Sequence, residues 1–146
     1  PTELNNDHGK YLRDQGNEYG STTGRPRRTG WLDLPALKYA VEINGVTQLM
    51  MMKADVLSGL SELKVCTEYK YGGETIKHIP FSLNDELVTP VYTELKPWSE
   101  DLTKMNSADQ LPNQLKSYTK FIEEYIGVPI VLISVGPDRE QTLWRG

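Results

Sequence analysis

Two stretches of this chain carry apolar residues at helical spacing. Leu34, Leu37 and Val41 share one face of a helix predicted from Asp33. Asp33 can cap it, and Pro35 sits in the first turn, where a missing N–H costs little. Asn44-Gly45 is a left-handed stop. Leu111, Leu115, Tyr118, Ile122 and Ile126 repeat in the same way and predict a helix over 109–126, stopped by Gly127. Between and after these come extended runs. The mostly apolar run 46–52 predicts a short buried strand. Residues 63–71 and 74–79 flank Gly72-Gly73, a two-residue hairpin signal. Residues 88–95 predict a further strand. The β-branched, apolar run 128–135 predicts a central strand, broken sharply at Gly136-Pro137-Asp138-Arg139. Residues 1–30 are polar and glycine-rich and predict loop or a short helix.

Helix followed by buried strand, twice, gives an α/β fold class: a mixed sheet with flanking helices and an inserted β-hairpin. The 146 residues allow one domain with a real core. The chain begins at Pro1 rather than Met, and its first twenty residues read like loop from the middle of a longer protein. With 25% charged and 38% hydrophobic residues it reads as soluble and globular. The net charge of −4 argues against a general nucleic-acid binder. One cysteine, Cys66, excludes an internal disulfide and fits a reducing, cytoplasmic setting. No apolar run approaches the roughly 18 residues of a membrane span, and the start has no secretory pattern.

Three segments carry candidate chemistry. In 20–30, three arginines (Arg25, Arg27, Arg28), a run of hydroxyls (Ser21, Thr22, Thr23) and three glycines are packed together. Guanidinium forks match carboxylate or phosphate, and hydroxyls add neutral donors. A bare Arg-Pro-Arg-Arg would read as a solvated basic turn; the preceding Thr-Thr-Gly points instead to a ligand with more than one anionic group. Lys53-Ala54-Asp55 follows the apolar run 46–52. An aspartate can accept from both N1–H and the 2-amino group of guanine, whereas adenine presents an acceptor at N1 and leaves the carboxylate unpaired. The lysine stem can cover the base. Alone, such a tripeptide is commonplace. Ser134-Val135-Gly136-Pro137-Asp138-Arg139 ends a strand, where ligands of α/β proteins bind, and Gly136 could let the backbone approach a flat base. Alone, it reads as an ordinary strand-ending turn with Asp138 and Arg139 solvated. His8, His78 and Cys66 show no metal or triad spacing, the methionines at 50–52 read as strand packing, and no Walker-type phosphate loop occurs.

Taken in this order, the segments resemble the adenylosuccinate synthetase family. The resemblance is carried by Gly20-Ser21-Thr22-Thr23-Gly24-Arg25-Pro26-Arg27-Arg28-Thr29-Gly30-Trp31-Leu32-Asp33, by Lys53-Ala54-Asp55-Val56-Leu57, and by Gly127-Val128-Pro129-Ile130 with Ser134-Val135-Gly136-Pro137-Asp138-Arg139. It runs from about residue 10 onward and matches the C-terminal third of the family pattern. The first segment is highly specific; the other two are specific in its company.

The resemblance implies a larger P-loop-like synthetase fold. It implies a GTP- and Mg2+-dependent ligase that joins IMP to L-aspartate in AMP synthesis, as a homodimer. Ser21, Thr22, Thr23, Gly24, Arg25, Pro26 and Arg27 would close over aspartate, with Arg25 also near IMP and Arg27 toward GTP. Lys53, Ala54 and Asp55 would hold the guanine, with Ser134, Val135 and Gly136 completing its pocket through backbone contacts. The family's phosphate loop, catalytic aspartate and histidine and main magnesium ligands belong to an N-terminal region, so no catalytic or metal residue is assigned here and the chain alone is expected to be inactive. The competing reading is a stand-alone guanine-nucleotide or anion-binding module. The C-terminal Leu143-Trp144-Arg145-Gly146 matches no motif and reads as truncated or frayed.

Overall fold

The computed structural model describes residues 1–83 and 87–145. Among these, the elements run α1 (Asp7–Gln15), β1 (Leu32–Asp33), α2 (Leu34–Asn44), β2 (Leu49–Met51), a 3-10 turn (Ala54–Leu57), β3 (Leu63–Tyr71), β4 (Glu74–Ile76), β5 (Val88–Leu95), 3-10 turns at Leu102–Lys104 and Ala108–Gln110, α3 (Asn113–Ile126), β6 (Ile130–Ser134) and β7 (Thr142–Trp144). The chain divides into two compact units, Pro1–Tyr39 with Lys64–Glu94 and Ala40–Leu63 with Leu95–Gly146. The strands form two mixed sheets rather than the one expected from the sequence.

The first unit holds the sheet built on β3. Strand β1 runs parallel to its start, with Leu32 opposite Val65, and β4 returns antiparallel to its end, with Tyr71 opposite Glu74. Gly72 and Gly73 both take positive φ, 57° and 89°, which is what a two-residue turn matched to strand twist requires. Strand β4 stops at Ile76, three residues short of the expected end. Cys66, Tyr69 and Val88 form a buried cluster against which Tyr71, Ile76, Ile79 and Tyr92 pack. Asp33 starts α2: its Oδ1 accepts from the Ala36 N–H at 3.1 Å and from the Tyr69 hydroxyl at 2.5 Å. The polar N-terminus forms the short helix α1, capped by Asn6, whose Oδ1 accepts from the Gly9 N–H at 3.1 Å.

In the second unit β6 is central, parallel to β2 and antiparallel to β7. This parallel pair is the product of the two helix-then-strand repeats. Strand β2 is shorter than the run 46–52 and lies at the edge, so it is not the buried strand expected: Met50 and Met52 are 60% and 62% exposed. Helix α3 begins at Asn113, not 109. Pro112 is the reason, because the residue before a proline is pushed out of the helical region, and Leu111 takes ψ 139°. Leu111, Leu115, Tyr118, Ile122 and Ile126 are nevertheless all buried, as their spacing required. Residues 143–145 are not frayed. Leu143 is buried in β7, and Arg145 donates to Glu123 at 2.9 Å and to the Ile130 carbonyl at 3.0 Å. Gly146 lies outside the described residues.

Candidate functional site

The parallel register places Met51 opposite Ile133, so β2 and β6 end side by side. The crevice beyond the carboxyl ends of parallel strands is where open α/β sheets bind ligands. Two of the three sequence segments, 53–55 and 134–136, leave the sheet from this end.

After β2 the backbone turns abruptly. Lys53 takes φ 59° and ψ 41°, the left-handed region, which costs a residue with a Cβ about 1–2 kcal/mol. The turn Ala54–Leu57 follows, closed by the Val56 N–H to the Lys53 carbonyl at 3.2 Å and the Ser58 N–H to the Asp55 carbonyl at 3.0 Å. It is anchored from behind. Trp98, buried edge-on against Tyr118, donates its Nε1–H to Ser58 Oγ at 3.0 Å, and its carbonyl accepts from the Gly59 N–H at 2.8 Å. Ala54 is buried. The consequence falls on Asp55: its Oδ1 is buried and has no hydrogen-bond partner among the described residues. A buried polar atom left unpaired costs about 1–3 kcal/mol, more if charged. An N–H donor brought by a ligand would remove that cost.

The segment after β6 is folded back on itself. Ser134 is buried and donates its hydroxyl to the Gly136 carbonyl at 3.0 Å. The Val135 N–H donates to the Gln141 carbonyl at 2.8 Å. Here the structure modifies the sequence reading in two ways. The Val135 amide is committed within the protein, so it is not a donor for a base. A Cβ on Gly136 would meet the end of the flexible Gln141 side chain, which can swing aside, so this contact alone calls neither for glycine nor for a ligand. Gln141 carried no sequence signal; it lies outside any motif, and only the folded chain brings it to Gly136.

The arginine loop belongs to the first unit. The Gly20 N–H donates to the Arg25 carbonyl at 2.9 Å and the Gly24 N–H to the Gly20 carbonyl at 2.8 Å, while Tyr19 and Pro26 form an antiparallel bridge. Thr23 Oγ1 accepts from the Arg25 N–H at 3.3 Å. Residues 21–28 are all exposed. The three arginines separate by partner. Arg27 pairs with Glu18 at 3.0 Å, and Arg28 pairs with Glu3 at 2.5 Å, holding the Glu3 carboxyl below its ordinary range. Arg25 makes no side-chain hydrogen bond or ion pair among the described residues. Its guanidinium is exposed, with Ser21, Thr22 and Thr23 beside it in sequence.

No group of three or more His, Cys, Asp or Glu side chains gathers into a metal site among the described residues, and no helix there is long and apolar enough to cross a membrane.

The fold and site define an α/β protein with a candidate ligand crevice at the carboxyl ends of a parallel strand pair. The family model described as Adenylosuccinate synthetase matches residues 1–143. The chain belongs to the adenylosuccinate synthetase family. It is 61% identical over 145 residues to adenylosuccinate synthetase of Flavobacterium johnsoniae, covering 99% of this chain and 34% of that protein. It is 56% identical over 144 residues to that of Cytophaga hutchinsonii, covering 98% and 33%. The solved structure described as fully ligated adenylosuccinate synthetase from Plasmodium falciparum superposes with a TM-score of 0.93 at 43% identity, covering 99% of this chain and 35% of that one. The chain thus spans about a third of the length of the relatives it matches.

Proposed function

We propose that this chain supplies the base-recognition and aspartate-positioning parts of a GTP-dependent ligase that joins IMP and L-aspartate to form adenylosuccinate. The single observation that carries the reading is the buried Oδ1 of Asp55, without a hydrogen-bond partner among the described residues, at the carboxyl ends of β2 and β6. A guanine offers that carboxylate the N1–H and the 2-amino group. Lys53 covers the base, Ala54 sets the turn, and Ser134 and Gly136 border the site, with Val135 holding its floor through Gln141. The exposed Arg25, with Ser21, Thr22, Thr23, Gly24 and Pro26, takes the dicarboxylate; Arg27 turns from Glu18 toward GTP. Mg2+ neutralises the GTP phosphates through residues outside those described.

We place the chain in the C-terminal third of its enzyme. It carries the aspartate- and base-facing loops but no Walker-type phosphate loop in its 146 residues. Positioning without an electrophilic centre gives no turnover, so the chain alone is inactive; the enzyme is a cytoplasmic homodimer. A synthetase lacking its last third should regain activity when this chain is added. The assay for the whole reading uses the intact protein carrying this sequence with IMP, L-aspartate and Mg2+, and either GTP or ATP. Adenylosuccinate formed with GTP alone supports it. GTP binding without turnover would transfer the assignment to a guanine-nucleotide-binding module.

A further inference from the structure

The side chain of Gln141 uses both ends of its carboxamide. Its Nε2 donates to the Thr103 carbonyl at 3.1 Å, and its Oε1 accepts from the Asp138 N–H at 3.1 Å. Its backbone takes part as well: the carbonyl accepts from the Val135 N–H at 2.8 Å, and the N–H donates to the Asp138 carbonyl at 3.0 Å. The carboxamide also fills the space where Gly136 would carry a Cβ. One residue therefore ties the whole return from Val135 to Asp138 and fastens it to the turn Leu102–Lys104. That turn is itself fixed by Asp101, whose Oδ1 accepts from the Thr103 N–H at 3.1 Å.

From this geometry we propose that Gln141 is a positioning residue for nucleotide binding: it sets the placement of Gly136 and Asp138 beside the crevice without touching the base. The proposal rests on the reading of that crevice as a guanine site. Segment 136–140 contains glycine and proline, is mostly exposed, and carries no large apolar anchor of its own. Fixing each backbone residue costs about 1–2 kcal/mol. If the free protein has already ordered the segment through Gln141, the nucleotide does not have to. Removing the carboxamide leaves the Asp138 amide and the Thr103 carbonyl without their partner and opens space beside Gly136.

The test measures steady-state kinetics of the intact protein carrying this sequence for wild type, Gln141→Ala, Gln141→Glu and Asp55→Asn. Gln141→Ala should raise KM for GTP about tenfold, with kcat and KM for IMP within about twofold of wild type. A merely structural role would lower kcat through loss of folded enzyme and leave KM unmoved. Gln141→Glu keeps the acceptor facing Asp138 and loses the donor facing Thr103, so its KM should fall between the two; it also carries the test if Gln141→Ala does not fold. Unchanged KM for GTP in the folded variants, or a fall in kcat alone, overturns the proposal. Asp55→Asn separates the two failures. If it relaxes the preference for guanine while the Gln141 variants bind GTP normally, only the role of Gln141 is lost. If it leaves the preference unchanged, the guanine reading itself falls, and the inference with it.

Discussion

Met51 and Ile133 stand opposite each other in the parallel pair of β2 and β6. From that one register follows the meeting of two segments far apart in sequence: the turn that buries Asp55 Oδ1 and the return tied by Gln141 begin at the same end of one sheet. Their meeting is a product of topology.

Lys53 shows what the placement costs. Its left-handed φ of 59° is a conformation that glycine adopts freely. Lys53→Gly should therefore be about 1 kcal/mol more stable than Lys53→Ala in chemical denaturation. Both should weaken GTP binding to a similar degree, since both lose the stem proposed to cover the base. Equal stabilities would mean that the turn relaxes around residue 53.

Arg25 is the member of the arginine loop with no side-chain partner among the described residues. A hydrogen bond to a charged group contributes about 1.5–3 kcal/mol. Arg25→Leu should lower kcat/KM for aspartate roughly ten- to a hundredfold and leave KM for GTP within about twofold. An equal loss for GTP would show that the loop roles are assigned wrongly.

Arg145 closes the second unit. Its guanidinium spans Glu123 and the Ile130 carbonyl, and its N–H donates to the Val131 carbonyl at 2.8 Å. The pair is about a quarter exposed, so solvent screens part of it. Arg145→Ala should cost about 1–2 kcal/mol of stability, because Glu123 and the Ile130 carbonyl lose a partner. The GTP-over-ATP preference should not move. Denaturation curves superimposable on wild type would contradict the role.

Cys66 makes stability fall at alkaline pH. Burial pushes its thiol from 9.0 to about 12, and the Asp33 carboxylate adds to the shift. A raised thiol pKa means that the folded state holds the proton more tightly. The contribution is complete below pH 9.0 and is lost as pH rises through about 12. Tyr92 acts in the same direction, raised from 10.0 to about 12 by burial and then by Cys66 and Asp33. The denaturation midpoint should decline from about pH 9 upward, and Cys66→Ala should flatten the first part of that decline. An identical decline in Cys66→Ala would contradict it.

Elements whose signals are local were legible in the sequence. Asp33 caps α2, Gly72-Gly73 turns the hairpin, and β5 spans 88–95 as its pattern required. The error at the start of α3 was also local: Pro112 outweighs a helical spacing that continues to Leu111. What the sequence did not yield depends on pairing over distance. Strand β7 is three residues long and takes its order from β6 and from Arg145. Met50 and Met52 are exposed because β2 is an edge, and no apolar run records whether its strand lies at an edge or a centre. In the candidate site, Asp55 and Gly136 stood out by residue type. The roles of Trp98 and Gln141 arise only where they meet Ser58 and Gly136, and the sorting of Arg27 and Arg28 into ion pairs required Glu18 and Glu3 to be in place.

The central claim is that Asp55 reads the base. The direct measurement compares GTP with ATP in adenylosuccinate synthesis by the intact protein carrying this sequence, wild type and Asp55→Asn. The account predicts that wild type uses GTP and that Asp55→Asn raises KM for GTP by about tenfold or more while narrowing the gap to ATP. A variant that keeps both the wild-type KM for GTP and the wild-type preference would contradict it.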